Sequence, residues 1–178
     1  MSRLLFRLLT TSIAVVAMSV AAVAPAAHAG DGARPVSANP TQEGIVPLGG
    51  ECGSSYGLVG LYPVQNDLTD RLEGYMEIYY SSTLRRNCAI MRHAGLMWGV
   101  RTSFPTGTFV EIRASGGSWQ NCPLGQTTYK TQCDRGRYYY YAGPVYTPAG
   151  VNMSGRCVDF NGNVGLATHI SRSGKHCG

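Results

Sequence analysis

Lysine is almost missing from this chain: only Lys130 and Lys175 occur, and apart from Arg85-Arg86 no two Lys or Arg residues adjoin. A nucleic-acid surface needs clustered cations to displace condensed counterions, so nucleic acid is not expected as a partner. No Cys-x-x-Cys pair occurs, and none of the four histidines stands at ligand spacing from another, so a structural zinc site is not expected. No cofactor motif is present, and no cofactor is expected. After residue 29 no apolar run approaches the length that spans a bilayer, and no stretch carries a sustained helical period. The 23 glycines argue further against helices, because glycine gives up the most backbone entropy in one.

The first 29 residues are of a different kind. Arg3 and Arg7 precede an apolar core through Ile13-Ala14-Val15-Val16-Ala17, and Ala27-His28-Ala29 stands before Gly30. That order of charge, apolar core and small residues is a cleavable secretory signal, with Gly30 as the expected mature N-terminus. Its loss removes two arginines and lowers the formal charge from +5 to +3, too little to direct the protein to an acidic partner. Residues 30–50 are rich in Gly, Pro and small polar side chains and read as a flexible arm or a pro-segment. The domain proper is expected over 51–178.

Cys52, Cys88, Cys122, Cys133, Cys157 and Cys177 all lie in that domain. An even number of cysteines behind a secretory signal argues for three disulfides. Six cysteines admit 15 pairings; Cys122 with Cys133 is the first expectation, because it closes a short polar loop. Each bridge would contribute roughly 3–4 kcal/mol in the chain-entropy model.

Short apolar or aromatic runs recur between turn residues at 57–64, 74–81, 87–92, 95–104, 108–114, 137–147, 156–160 and 165–171, the texture of a single all-β domain, an antiparallel sandwich or small barrel. Alternation sets Met76, Ile78 and Tyr80 against Tyr75, Glu77 and Tyr79, and Phe109, Glu111 and Arg113 against Val110, Ile112 and Ala114. Gly143-Pro144 interrupts a strand and marks it as an edge or a bulge. Asn161-Gly162 between two β-like runs predicts a hairpin turn.

Five motifs occur together: Cys52-Gly53-Ser54-Ser55-Tyr56, Gly74-Tyr75-Met76-Glu77-Ile78-Tyr79-Tyr80, Asn87-Cys88-Ala89-Ile90, Tyr140-Tyr141-Ala142-Gly143-Pro144-Val145-Tyr146 and Cys157-Val158-Asp159-Phe160. In this order they resemble the actinobacterial spore-associated protein A family over about residues 51–165. The resemblance implies a small secreted protein of filamentous bacteria, found with spores or in the medium, and carries no catalytic residues over. The tail through Cys177 and the insert at 118–133 depart from the family pattern.

Candidate sites were weighed from the residues themselves. Gly53-Ser54-Ser55-Tyr56-Gly57 fits the Gly-x-Ser-x-Gly pattern of hydrolases, but no helix follows to make a nucleophile elbow, so a glycine-rich turn is expected. Asp159, Asn161 and Asn163 alternate like calcium ligands, yet an EF-hand loop would need glycine at Val164 and glutamate at Ile170. His93 or His169 with Glu77, Glu111 or Asp159 could form an acid–base pair. Isolated histidines at strand ends are expected to be solvated, and His176 to lie in a tail.

The aromatics are the stronger lead. Successive strand residues face opposite ways, so about two of Tyr138, Tyr139, Tyr140 and Tyr141 should reach solvent. Together with Tyr146, Trp98 and Trp119 they form the candidate binding set. The expectation is a secreted protein without enzymatic activity, at the spore or cell surface or in the medium, with wall or spore-coat components as partners and no membrane contact after the signal is cut. Two alternatives stay open: a binding module for wall polysaccharide or a protein partner, and a small hydrolase using His93 or His169 with a carboxylate.

Overall fold

A computed structural model describes residues 50–103, 107–127, 132–166 and 168–177. The expected signal (1–29) and nearly all of the arm (30–50) lie outside the described residues. The domain is an antiparallel sandwich of two sheets, held by three disulfides. The first sheet has strand order β1-β2-β3-β7: Gly57–Gln65, Leu72–Ser81, Arg86–His93 and Tyr141–Tyr146. The second has order β5-β6-β4-β8-β9: Gln126–Thr127, Cys133–Gly136, Thr108–Ala114, Val158–Val164 and Ile170–Lys175.

Inner-face residues follow the period of two, except in β7, where the irregularity at Gly143-Pro144 shifts it between Ala142 and Val145. Met76, Ile78, Ala89, Met91, Ala142 and Val145 from the first sheet meet Val110, Ile112, Val158, Phe160, Val164 and Ile170 from the second, all buried. The first sheet also buries much of its outer face. Cys52 bonds to Cys88, and this lays Glu51–Tyr56 across β3 and β7, with the Tyr146 hydroxyl donating to the Cys52 carbonyl at 3.3 Å and the Tyr56 ring 5.7 Å from that of Tyr146. Cys122 bonds to Cys133, the pair expected from the short loop, and Cys157 to Cys177.

Four local expectations need correction. Asn161-Gly162 is not a turn but the middle of β8, paired on both sides by β4 and β9. Glycine is needed there for approach, since a Cβ on Gly162 would stand 2.6 Å from Met76 Cε and 2.7 Å from the Phe109 carbonyl. The chain turns later, and the last strand is Ile170–Lys175 rather than 165–171. Residues 95–103 form no strand: Gly95 (φ 52°) and Gly99 (φ 75°) break extension, and Gly95–Met97 is a single 3-10 turn. In the tyrosine run, the strand begins only at Tyr141, and the four residues before it form a link. The Gly143-Pro144 strand, β7, does lie at a sheet edge with a register shift opposite Ala89–Met91.

Candidate functional site

Three side-chain clusters of the described residues bear on function. The first is built on the link before β7. Tyr138 points inward and donates to Asp134 Oδ1 at 2.7 Å, while the Gly143 N–H donates to Oδ2 at 2.7 Å. Burial pushes the Asp134 carboxyl up, against these donors. Tyr141 is also buried, with the Arg92 guanidinium 5.4 Å from its ring. Tyr139 reaches solvent, and Tyr140 is half-buried at the margin of the core.

They meet the 3-10 segment. Gly99 N–H donates to the Tyr139 carbonyl at 3.0 Å and Thr102 N–H to the Tyr138 carbonyl at 3.1 Å, fastening 95–102 to the link. Trp98 stands 5.1 Å from Tyr140, Tyr140 lies 6.3 Å from Tyr139, and the Arg101 guanidinium lies 5.7 Å from the Tyr139 ring. Leu96 (67% exposed) and Val100 (46%) flank this ridge. Of the aromatic set named from sequence, the structure brings together Trp98, Tyr139 and Tyr140. Tyr138 and Tyr141 are anchors, Tyr146 faces Tyr56 and Arg86, and Trp119 lies under Arg113 at 3.6 Å in another cluster. Sequence does not mark Leu96, Val100 and Arg101 as site residues, because an apolar run at 95–104 has the composition of a strand.

His93 holds this segment from below and is fully buried, not solvated. Its Nδ1 lies 3.1 Å from the Met97 carbonyl, which can only accept, so Nδ1 carries the proton. Nε2 then accepts from the Thr108 hydroxyl at 2.6 Å, and Thr108 Oγ1 in turn lies 3.1 Å from Thr102 Oγ1. Burial pulls the imidazole down to about 4, against the pull of nearby carbonyls, so it is neutral at physiological pH. Both ring nitrogens are occupied, and neither partner is a carboxylate. His169 is exposed, and His176 is no free tail: its Nε2 lies 2.9 Å from the Tyr62 hydroxyl, beside Cys177 in its disulfide.

The second cluster lies on the outer face of the first sheet. Glu77 receives Arg92 Nε at 2.6 Å and Nη2 at 3.0 Å, and the Tyr79 hydroxyl at 2.7 Å, while Glu51 takes Arg92 Nη2 at 3.0 Å. Burial alone would lower the Arg92 guanidinium; the bonds and charges of Glu77 and then Glu51 outweigh it and hold the side chain protonated. Glu77, weighed above as a partner for histidine, is committed to Arg92, and both are fully buried. Ser54 and Ser55 sit in an exposed turn at the start of this cover.

The third cluster lines the outer face of the second sheet in cross-strand rows. Arg135, Phe109 and Asn163 form one row; Cys133, Glu111, Asn161 and Ser171 the next; Arg113 and Asp159 a third. Asp159, Asn161 and Asn163 therefore stand in successive rows of an extended strand and do not converge on one point. Burial opposes ionisation of Asp159, but the Ser115 hydroxyl at 2.7 Å, the Gly174 and Gly116 amides and Arg113 more than offset it and hold the carboxyl below its usual value. Burial pushes Glu111 up despite the Gln120 amide that donates to its Oε1 at 2.5 Å. No group of three His, Cys, Asp or Glu able to hold a metal ion occurs among the described residues. No helix among them is long and apolar enough to cross a membrane.

No protein-family model matches the chain, and no solved structure does. Among curated proteins it is similar to Spore-associated protein A of Streptomyces coelicolor, with 26% identity over 155 residues that cover 87% of this chain and 77% of the relative. At that identity the relationship is distant, though it spans most of both chains.

Proposed function

We propose that this chain is a secreted, non-catalytic protein of the spore or cell surface, held there by a protein contact through the Trp98–Tyr140–Tyr139–Arg101 ridge. The observation that carries the reading is the ridge's composition and rigidity. Trp, Tyr and Arg are the residues that dominate binding energy at protein contacts, and Leu96 and Val100 add the apolar area that such contacts bury. The ridge is hydrogen-bonded to β3 and to the link before β7, so little conformational entropy is lost when it docks. The distant likeness to a spore-associated protein supports the location. The saturated His93 and the Arg92-bound Glu77 support the non-catalytic reading, since a general base must be free to take a proton.

Cosedimentation with spores and with isolated walls tests it. Trp98→Ala and Tyr139→Ser should each lower retention by tenfold or more with thermal midpoints nearly unchanged, and protease treatment of the washed spores should abolish retention of the wild type. Equal retention by the variants refutes the ridge. Turnover of any ester, peptide or glycoside that is lost in a folded His93 or His169 variant refutes the non-catalytic reading.

A further inference from the structure

Residues 120–122 lie against the outer face of the second sheet and make a cleft with it. Gln120, Asn121 and Cys122 wall it on one side, the row Arg135–Phe109–Asn163 forms its floor, and its volume is about 290 Å³. The disulfide from Cys122 to Cys133 on β6 ties the wall to the sheet. Phe109 is a half-buried aromatic ring on a face whose other strand residues here are polar. Asn163 donates its Nδ2 to the Gly107 carbonyl at 3.2 Å and the Gly165 carbonyl at 2.7 Å, which leaves Oδ1 as an acceptor held in fixed orientation.

We propose that this cleft binds a single pyranose ring of a glycan. The lining has two characters. One flat apolar ring matches the C–H face of a sugar, and amides with a guanidinium at its margin match hydroxyl groups that both donate and accept. A purely apolar ligand would strip water from the side-chain amides of Gln120 and Asn121 and from Asn163 Oδ1 and give nothing back, which costs more than one ring contact returns. Among the described residues that line the cleft there is no carboxylate, and the Arg135 cation opposes a metal ion. The volume of about 290 Å³ lies just below the roughly 300–1,000 Å³ usual for small-ligand sites, which fits one ring in place of an extended chain. The site is separate from the ridge, so either can fail without the other.

Titration of the 15N-labelled secreted protein with glucose, galactose, mannose and N-acetylglucosamine tests it. At least one of these should give saturable shifts confined to the amides of Phe109, Gln120, Asn121, Cys122, Arg135 and Asn163. Phe109→Ala should weaken that binding tenfold or more, and Gln120→Ala, an exposed change that leaves the sheet intact, several-fold; Trp98→Ala should leave it unchanged. No saturable shift in the cleft with any of the four sugars overturns the proposal. So does wild-type affinity in a folded Phe109→Ala or Gln120→Ala protein, or shifts centred on the ridge instead.

Discussion

Acidification should weaken the fold through one side chain, His93. In the folded protein its imidazole is held neutral down to about 4, against 6.5 as its ordinary value. As the pH falls through 6.5 the unfolded chain takes up a proton that the folded chain refuses, so the unfolded state binds more protons between about 6.5 and 4, and stability must fall across that window. The stabilisation is fully present above 6.5 and its loss is complete below 4. With one pKa unit equal to about 1.36 kcal/mol, the difference between pH 7.5 and 4.5 comes to about 2.5 kcal/mol from this residue alone. Asp134 and Glu111, both pushed up by burial, act in the opposite sense as they protonate, so the raw pH curve mixes signs. Urea unfolding at pH 7.5 and 4.5, disulfides intact, should therefore be compared between wild type and His93→Gln. The wild type should lose about 2.5 kcal/mol more than the variant over this interval. Equal losses would refute the argument, as would a His93 Cε1 resonance titrating near 6.5. Because His93 carries the Met97 carbonyl, His93→Ala should also loosen the Trp98 segment and reduce surface retention.

Arg92→Met should cost about 3–5 kcal/mol in urea unfolding, because it strands the buried Glu77 carboxylate with only the Tyr79 hydroxyl for company; a cost below 1 kcal/mol would refute the dependence of Glu77 on Arg92. Gly162→Ala should lower stability by about 1–3 kcal/mol, since the added methyl meets a backbone carbonyl that cannot move away; a neutral result would show that the strand shifts to admit it.

Much of this fold was legible without coordinates. Period-two alternation set Met76 and Ile78, and Val110 and Ile112, on one face of their strands, because a side chain's face depends only on parity; which face is buried was left to the fold, and in β2 the opposite face, with Glu77 and Tyr79, is buried too. An even set of cysteines and the short 122–133 separation sufficed for one bridge, as loop closure is local. The same parity set Phe109 on one face with Glu111 and Arg113, but of the cleft floor it could supply Phe109 alone.

What sequence could not supply was register and burial of the polar residues. Asn161-Gly162 carries the strongest local signal for a turn, yet the demand for a side-chain-free position opposite Met76 overrides it, and such a demand exists only once two sheets are stacked. Asn163 reaches Phe109 and Arg135 through pairing across three strands distant in sequence. Likewise, nothing local says that Arg92 will lie in the dark between Glu77 and Glu51, or that His93 will spend both nitrogens on Met97 and Thr108. The sequence by itself determined parity, composition and the one short-loop bridge, whereas Cys52–Cys88 and Cys157–Cys177 were paired only by the fold. The tertiary structure decided which tyrosines are anchors and which are surface, because solvent exposure depends on what the rest of the chain packs against each face.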